Sequence, residues 1–190
     1  MAILRQMTGL LGDTRRTHLL ELVNSPTLQW ERSDVLGRTT AGRMWQLANS
    51  AMHRQPEMVS LATLMASVVY EEIGNSVPGL LPAPERLVPQ VFPVKMEGNT
   101  ADPPTQWAHR DGVDGRHPLV TSVYYAQVDN TVGGELVLHD DDGRAIVRIQ
   151  PTADQLVVID GRQTHSVEPL TAGERLTVVT NFYAPEGAAS

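Results

Sequence analysis

The sequence contains no cysteine. That excludes disulfides, thiolate metal ligands and a cysteine nucleophile, and a cytoplasmic protein is the simplest expectation. No apolar run approaches the roughly 20 residues that span a bilayer, so no membrane partner is expected. The start, Met1-Ala2-Ile3-Leu4-Arg5-Gln6, lacks the charged-then-apolar layout of an export signal. Positive charge is scarce: 15 Lys and Arg against 22 Asp and Glu leave a formal net charge of −7. That balance argues against binding a phosphate backbone, so no nucleic acid is expected. The densest basic pair, Arg15-Arg16, reads as a solvated helix face. Internal repeats, low-complexity tracts and Gly/Ser-rich linkers are also missing.

What remains is ordinary for a folded chain: 190 residues, 41% hydrophobic and 19% charged. A chain of this length buries roughly two-thirds of its unfolded surface. The expected organisation is a single domain over 1–190, with 1–89 mainly helical support and 90–184 mostly β. Asp13 or Thr14 is placed to cap a helix over about 14–24 that ends at Asn24-Ser25-Pro26. A second helix is expected over about 40–54, on Met44, Trp45, Leu47, Ala48, Ala51 and Met52. The strongest helical pattern starts at Pro56 and runs through Met58, Leu61, Leu64, Met65, Val68 and Val69, with Gly74 as its stop. The methionines there read as core filler. The Pro- and Gly-rich stretch 74–89 reads as a surface loop.

From Gln90 onward, short alternating segments separated by turn residues predict eight strands: about 90–96, 105–109, 119–128, 134–139, 144–149, 155–160, 164–168 and 174–183. Gly133-Gly134 and Asp142-Gly143 are the turn points. Eight antiparallel strands in two facing sheets give an α+β fold: a double-stranded β-helix, or jelly-roll (cupin-like) barrel, braced by N-terminal helices.

The candidate chemistry lies between Gln106 and Tyr183. His109 and Asp111 are two apart, so on an extended backbone both side chains leave one face. His165 is far enough downstream for several strands to return it beside them. Two imidazoles and one carboxylate on one face of a metal leave the opposite positions open, a geometry suited to non-haem Fe(II). Arg175, ten residues beyond His165, is the kind of residue that holds a planar dicarboxylate by a two-pronged contact. A second His-Asp pair, His139-Asp140-Asp141, runs into Asp142-Gly143 and reads as a solvated turn. The bland alternative for the first triad is a hydrogen-bonded turn at Asp111-Gly112 plus two surface histidines.

Residues from about 89 to 184 resemble the core of the 2-oxoglutarate/Fe(II) dioxygenase family. Leu119 to Tyr125 and Gly133-Gly134-Glu135-Leu136 are similar to the prolyl-hydroxylase branch. His109-Arg110-Asp111-Gly112-Val113-Asp114 followed by Gly133-Gly134-Glu135 is similar to the bacterial free-amino-acid hydroxylases, isoleucine dioxygenase among them. The resemblance implies Fe(II) on His109, Asp111 and His165, with 2-oxoglutarate as co-substrate and O2 as oxidant. Arg175 would take the distal carboxylate of 2-oxoglutarate, with Thr177 on the same strand face and Tyr125 preferred over Tyr124 on the third strand. A carboxylate at 111, where related halogenases carry a small residue, favours hydroxylation over halogenation.

Other residues stay open. Asn181 assists the cofactor site or closes a turn, Trp107 lines the pocket or fills the core, and Arg110 serves a substrate carboxylate or a surface Asp. Loops 97–104 and 112–118 flank the expected mouth as candidate lids. The leading expectation is hydroxylation of an unactivated C–H in a small-molecule substrate, a free amino acid or a natural-product intermediate built from one. A chain this short leaves little room for a peptide-docking domain. A peptidyl prolyl hydroxylase, a cupin-like metal-binding module without oxygenase chemistry and a metal-free sugar-binding jelly roll are the rivals. The helical half can also build a homodimer surface.

Overall fold

In a computed structural model of the chain, residues 3–32, 44–47 and 55–185 are described. Their strands are β1 (Ile3–Thr8), β2 (Trp30–Arg32), β3 (Met44–Leu47), β4 (Val88–Glu97), β5 (Gln106–His109), β6 (Val120–Gly133), β7 (Leu136–His139), β8 (Ala145–Ile149), β9 (Gln155–Asp160), β10 (His165–Val167) and β11 (Leu170–Tyr183). Two helices, α1 (Gly12–Val23) and α2 (Pro56–Ser76), lie in the N-terminal half. Among the described residues no helix is long and apolar enough to cross a membrane.

The strands form a seven-stranded sheet in the order β1-β9-β6-β11-β4-β3-β2 and a four-stranded sheet in the order β5-β10-β7-β8. All named pairings are antiparallel. Period-two alternation gives the larger sheet two different faces. Val120, Tyr124, Ala126, Val178 and Phe182 pack against Leu19, Met58, Leu61, Met65 and Ile73 of the helices. The opposite face sends Tyr125, Val157 and Ile159 against Leu136, Leu138 and Ile149 of the smaller sheet. Helices outside and a jelly roll inside match the expected architecture.

The eight expected strands all form, within a few residues of their predicted ends. Three further strands were not expected. Residues 44–47 are extended, not helical; the rest of the expected helix 40–54 lies outside the described residues. The reason is a partner: β3 pairs with β4 through Met44↔Met96, Trp45↔Lys95 and Gln46↔Val94. Met44 is thereby buried with Val94 and Met96. Apolar spacing in this stretch also fits a helix, and tertiary pairing overrides it. The 1–89 half is therefore helical support with three sheet strands added.

The cap expected for α1 is also corrected. Neither Asp13 nor Thr14 caps it. Asp154, at the start of β9, accepts from Leu11 N (3.0 Å) and Gly12 N (2.9 Å), and takes the Tyr124 hydroxyl at 2.8 Å. A carboxylate on the opening amides of a helix satisfies orphan donors and opposes the helix dipole. α2 starts at Pro56 as expected but runs past Gly74 to Ser76.

Candidate metal centre and cofactor pocket

His109 closes β5, and β10 pairs with it so that His165 stands opposite His109, their rings 4.3 Å apart between centroids. Asp111 follows two residues beyond the strand end. Its Oδ1 lies 3.5 Å from His109 Nε2 and 3.9 Å from His165 Nε2. One ligand atom from each residue falls within 4.8 Å of the others, and no other group of three such side chains does so among the described residues. The second pair behaves as a turn: Asp140 accepts from Arg144 N at 2.7 Å, and His139 Nε2 bonds Ser166 Oγ at 2.8 Å.

The surroundings orient these three groups for a metal. His109 Nδ1 is 2.7 Å from Trp107 O and His165 Nδ1 is 3.0 Å from Gln163 O. Carbonyls only accept, so each Nδ1 carries the proton and each Nε2 is the ligand nitrogen. Asp111 Oδ2 accepts from Thr121 Oγ1 at 3.1 Å and from Asn181 Nδ2 at 3.2 Å. That leaves Oδ1 facing the two imidazoles. Burial pushes the Asp111 carboxyl up, but the His109 hydrogen bond, both histidines' charge and the Thr121 hydroxyl outweigh it and bring the value down to about 2. Burial also disfavours charge on His109, yet Asp111 and the Trp107 carbonyl raise it; burial leads the lowering at His165. The site thus offers one carboxylate oxygen and two ring nitrogens to a divalent cation, whose binding competes with protons.

Arg175 enters the same cavity from β11 and is 4% exposed. Its Nη1 donates to Gly134 O, while its buried Nε has no hydrogen-bond partner among the described residues. Gly133 and Gly134 sit at φ 82° and 76°, where a side chain is strained; a Cβ on Gly133 would lie 2.0 Å from Pro169 O. The glycine turn therefore also builds the carbonyl that aims the guanidinium. Tyr125 lies with its ring 5.8 Å from the guanidinium carbon, whereas Tyr124 faces the helices. Thr177 Oγ1 donates to Val94 O at 3.3 Å on the inward face. These are the residues expected from sequence. A buried cation with an idle N–H is the fit a dicarboxylate needs.

The cavity has a volume of about 280 Å³. Arg110 reaches its rim, donating from Nε to Thr164 Oγ1 at 2.9 Å and lying 3.6 Å from Asp141. Trp107 does neither thing expected of it, being 53% exposed on the outer face. Thr121 and Tyr183 are contributors that sequence reading left without a role, and Asn181, left open between the cofactor site and a turn, lines the cavity. Their signal was parity: Asn181 and Tyr183 stand six and eight residues past Arg175, so an unbroken strand puts all three on one face.

Residues 105–183, which hold the triad, Tyr125, Arg175 and Thr177, match the model of the 2OG-Fe(II) oxygenase superfamily. This segment belongs to that superfamily, and the protein is a dioxygenase that uses Fe(II), 2-oxoglutarate and O2. The fold is shared with an oxidoreductase of the 2OG-Fe(II) oxygenase family from Burkholderia pseudomallei (TM-score 0.71, 14% identity, 96% of this chain and 85% of that one). It is shared too with a Pseudomonas putida prolyl-4-hydroxylase (TM-score 0.63, 18% identity, 95% and 92%). IDO from Bacillus thuringiensis is similar at TM-score 0.64 and 14% identity, over 95% and 89%. No curated protein matches the chain in sequence.

Proposed function

We propose that His109, Asp111 and His165 hold Fe(II), that Arg175, Tyr125 and Thr177 hold the distal carboxylate of 2-oxoglutarate, and that the single domain hydroxylates a C–H of a small molecule, a free amino acid or a derivative. The observation behind the assignment is the convergence, on one cavity, of a three-ligand cluster and a buried arginine with an idle N–H. Bound Fe(II) with 2-oxoglutarate supplies O2 activation: one oxygen atom enters succinate as CO2 leaves, and the other enters the substrate C–H. The residues do the positioning. Asp111 and the two Nε2 atoms would hold the iron, Arg175 would take the distal carboxylate of the co-substrate, and Val123, Leu136 and Val179 line the cavity with apolar surface.

The size of the cavity supports a small substrate. At about 280 Å³ it stands at the low end of ligand pockets, roughly 300–1,000 Å³. Arg110, at the rim, has N–H groups beyond those turned to Thr164 and Asp141 for a substrate carboxylate. A peptidyl prolyl hydroxylase is the second reading, favoured by the fold shared with the Pseudomonas putida prolyl-4-hydroxylase.

Succinate formation by the Fe(II)-loaded protein, with free amino acids and proline-containing peptides as co-substrates, separates the two. Stimulation by a free amino acid supports the small-substrate reading. Stimulation by peptides alone moves the substrate to the peptide class.

A further inference from the structure

Two buried polar atoms at the other end of the cavity from Arg175 have no hydrogen-bond partner of good geometry among the described residues: Asn181 Oδ1 and the Tyr183 hydroxyl. Asn181 is 2% exposed and Tyr183 is 6% exposed, and both line the cavity that holds the triad. We infer that Asn181 and Tyr183 form a substrate subsite that takes a hydrogen-bond donor, an amine or amide N–H, on the molecule to be oxidised. The inference deepens the proposed function and rests on it.

The orientation of Asn181 follows from its neighbour. Asn181 turns Nδ2 toward Asp111 Oδ2, 3.2 Å away, as an amide N–H does toward a carboxylate oxygen. Thr121 donates to the same oxygen from the adjacent strand. An amide has two ends, and with Nδ2 committed, Oδ1 is left as a buried acceptor. A buried acceptor without a donor costs about 1–3 kcal/mol, so a ligand that supplies the donor recovers that cost. Tyr183 lies beside Asn181, close enough for the amide to offset part of the rise in its hydroxyl's pKa, but its hydroxyl makes no hydrogen bond of good geometry with a described residue. Burial and then the Asp111 charge raise its hydroxyl above the ordinary tyrosine value, against a lowering by Asn181 and Arg116, and a tyrosine hydroxyl can accept as well as donate.

β11 therefore carries opposite chemistry at its two ends. Arg175 offers donors for a carboxylate, and Asn181 with Tyr183 offers acceptors. Arg175 and Asn181 are separated by about 20 Å of extended strand, so a small dicarboxylate anchored at Arg175 leaves the Asn181 end open for the substrate.

The test uses the full chain loaded with Co(II) and 2-oxoglutarate, in which binding is read without turnover. The probes are the common L-amino acids, the carboxylic acid lacking the amino group for each, and a proline-containing peptide, titrated by calorimetry. Two variants report on the subsite: Tyr183→Phe removes the hydroxyl, and Asn181→Ser keeps a donor for Asp111 but removes the carbonyl. Circular dichroism checks their fold.

At least one amine-bearing probe is expected to bind, each variant weakening it about tenfold. Its deaminated partner should bind wild type at least tenfold more weakly and be indifferent to the variants. A peptide with the same sensitivity supports the same subsite. Equal binding of the amine and its deaminated partner, indifference to both substitutions, or no binding by any probe while Co(II) and 2-oxoglutarate remain bound would overturn the inference. Failure to take up Co(II) and 2-oxoglutarate at all would instead remove the metal site, and this subsite with it.

Discussion

Asp111 divides its two oxygens between two tasks. Oδ1 faces His109 and His165, and Oδ2 is held by Thr121 and Asn181. Removing an outer partner of a ligand typically costs 10–100-fold in metal affinity. Thr121→Val is therefore expected to weaken Co(II) binding about tenfold while leaving the fold intact, and competition with a chelator measures it. Unchanged affinity would make Thr121 a packing residue only. Arg175→Ala should raise the 2-oxoglutarate requirement on the order of 100-fold, the worth of a charge-assisted two-pronged contact of about 3 kcal/mol, without loss of metal. At this scale the triad and Arg175 were legible because ligand chemistry restricts residue type and spacing. Asn181 was not: its role depends on which neighbour it meets, and only pairing in space sets that. Trp107 misled because alternation from His109 would turn it inward, whereas the register shift in the β5–β10 pairing puts Gln106 and His109 on the cavity and leaves Trp107 exposed.

Elements dock through a few polar contacts. Asp154 joins the start of β9 to the opening of α1 and to Tyr124 of β6. Its φ of 59° suits Asp better than Ala. Asp154→Ala should destabilise by about 2–3 kcal/mol from the lost cap and charge-assisted bonds, read as a lower urea midpoint. A shift within error would show that α1 is held by packing alone. Sequence placed α1 but not its cap, because the capping carboxylate lies far away in the chain.

Glu72 of α2 binds Arg5 of β1 at 2.8 Å and the Ser76 hydroxyl at 2.6 Å. Its carboxyl is held below the ordinary glutamate value, by the Ser76 hydroxyl against burial, with Arg5 adding to the lowering. A lowered value means the contact stabilises above pH 4.5 and is lost as pH falls through the folded value. Glu72→Gln should therefore cost about 0.5–1 kcal/mol at pH 7, with the difference from wild type closing toward pH 3. A pH-independent difference would assign the effect to packing.

At the scale of the whole molecule, the eight strands of 90–184 were readable because turn residues such as Gly133-Gly134 and Asp142-Gly143 punctuate alternating runs. The N-terminal strands were not. Three residues of β2 and four of β3 are described, too few for a period to register, and among the described residues β1 pairs with β9 alone. Their conformation is set by the sheet they join. The 112–118 loop beside the mouth turns at Asp114 and Gly115, both at positive φ, and Gly112 and Val113 line the cavity. Co(II) with 2-oxoglutarate is expected to slow proteolysis there, and unchanged cleavage would count against closure of this loop.

The central assignment is tested most directly by anaerobic titration of Fe(II) and 2-oxoglutarate into wild type, Asp111→Ala and Arg175→Ala. The expected result is one Fe(II) per chain in wild type, none in Asp111→Ala, and Fe(II) without tight 2-oxoglutarate in Arg175→Ala. Fe(II) bound equally by wild type and Asp111→Ala, or 2-oxoglutarate bound equally by wild type and Arg175→Ala, would contradict it.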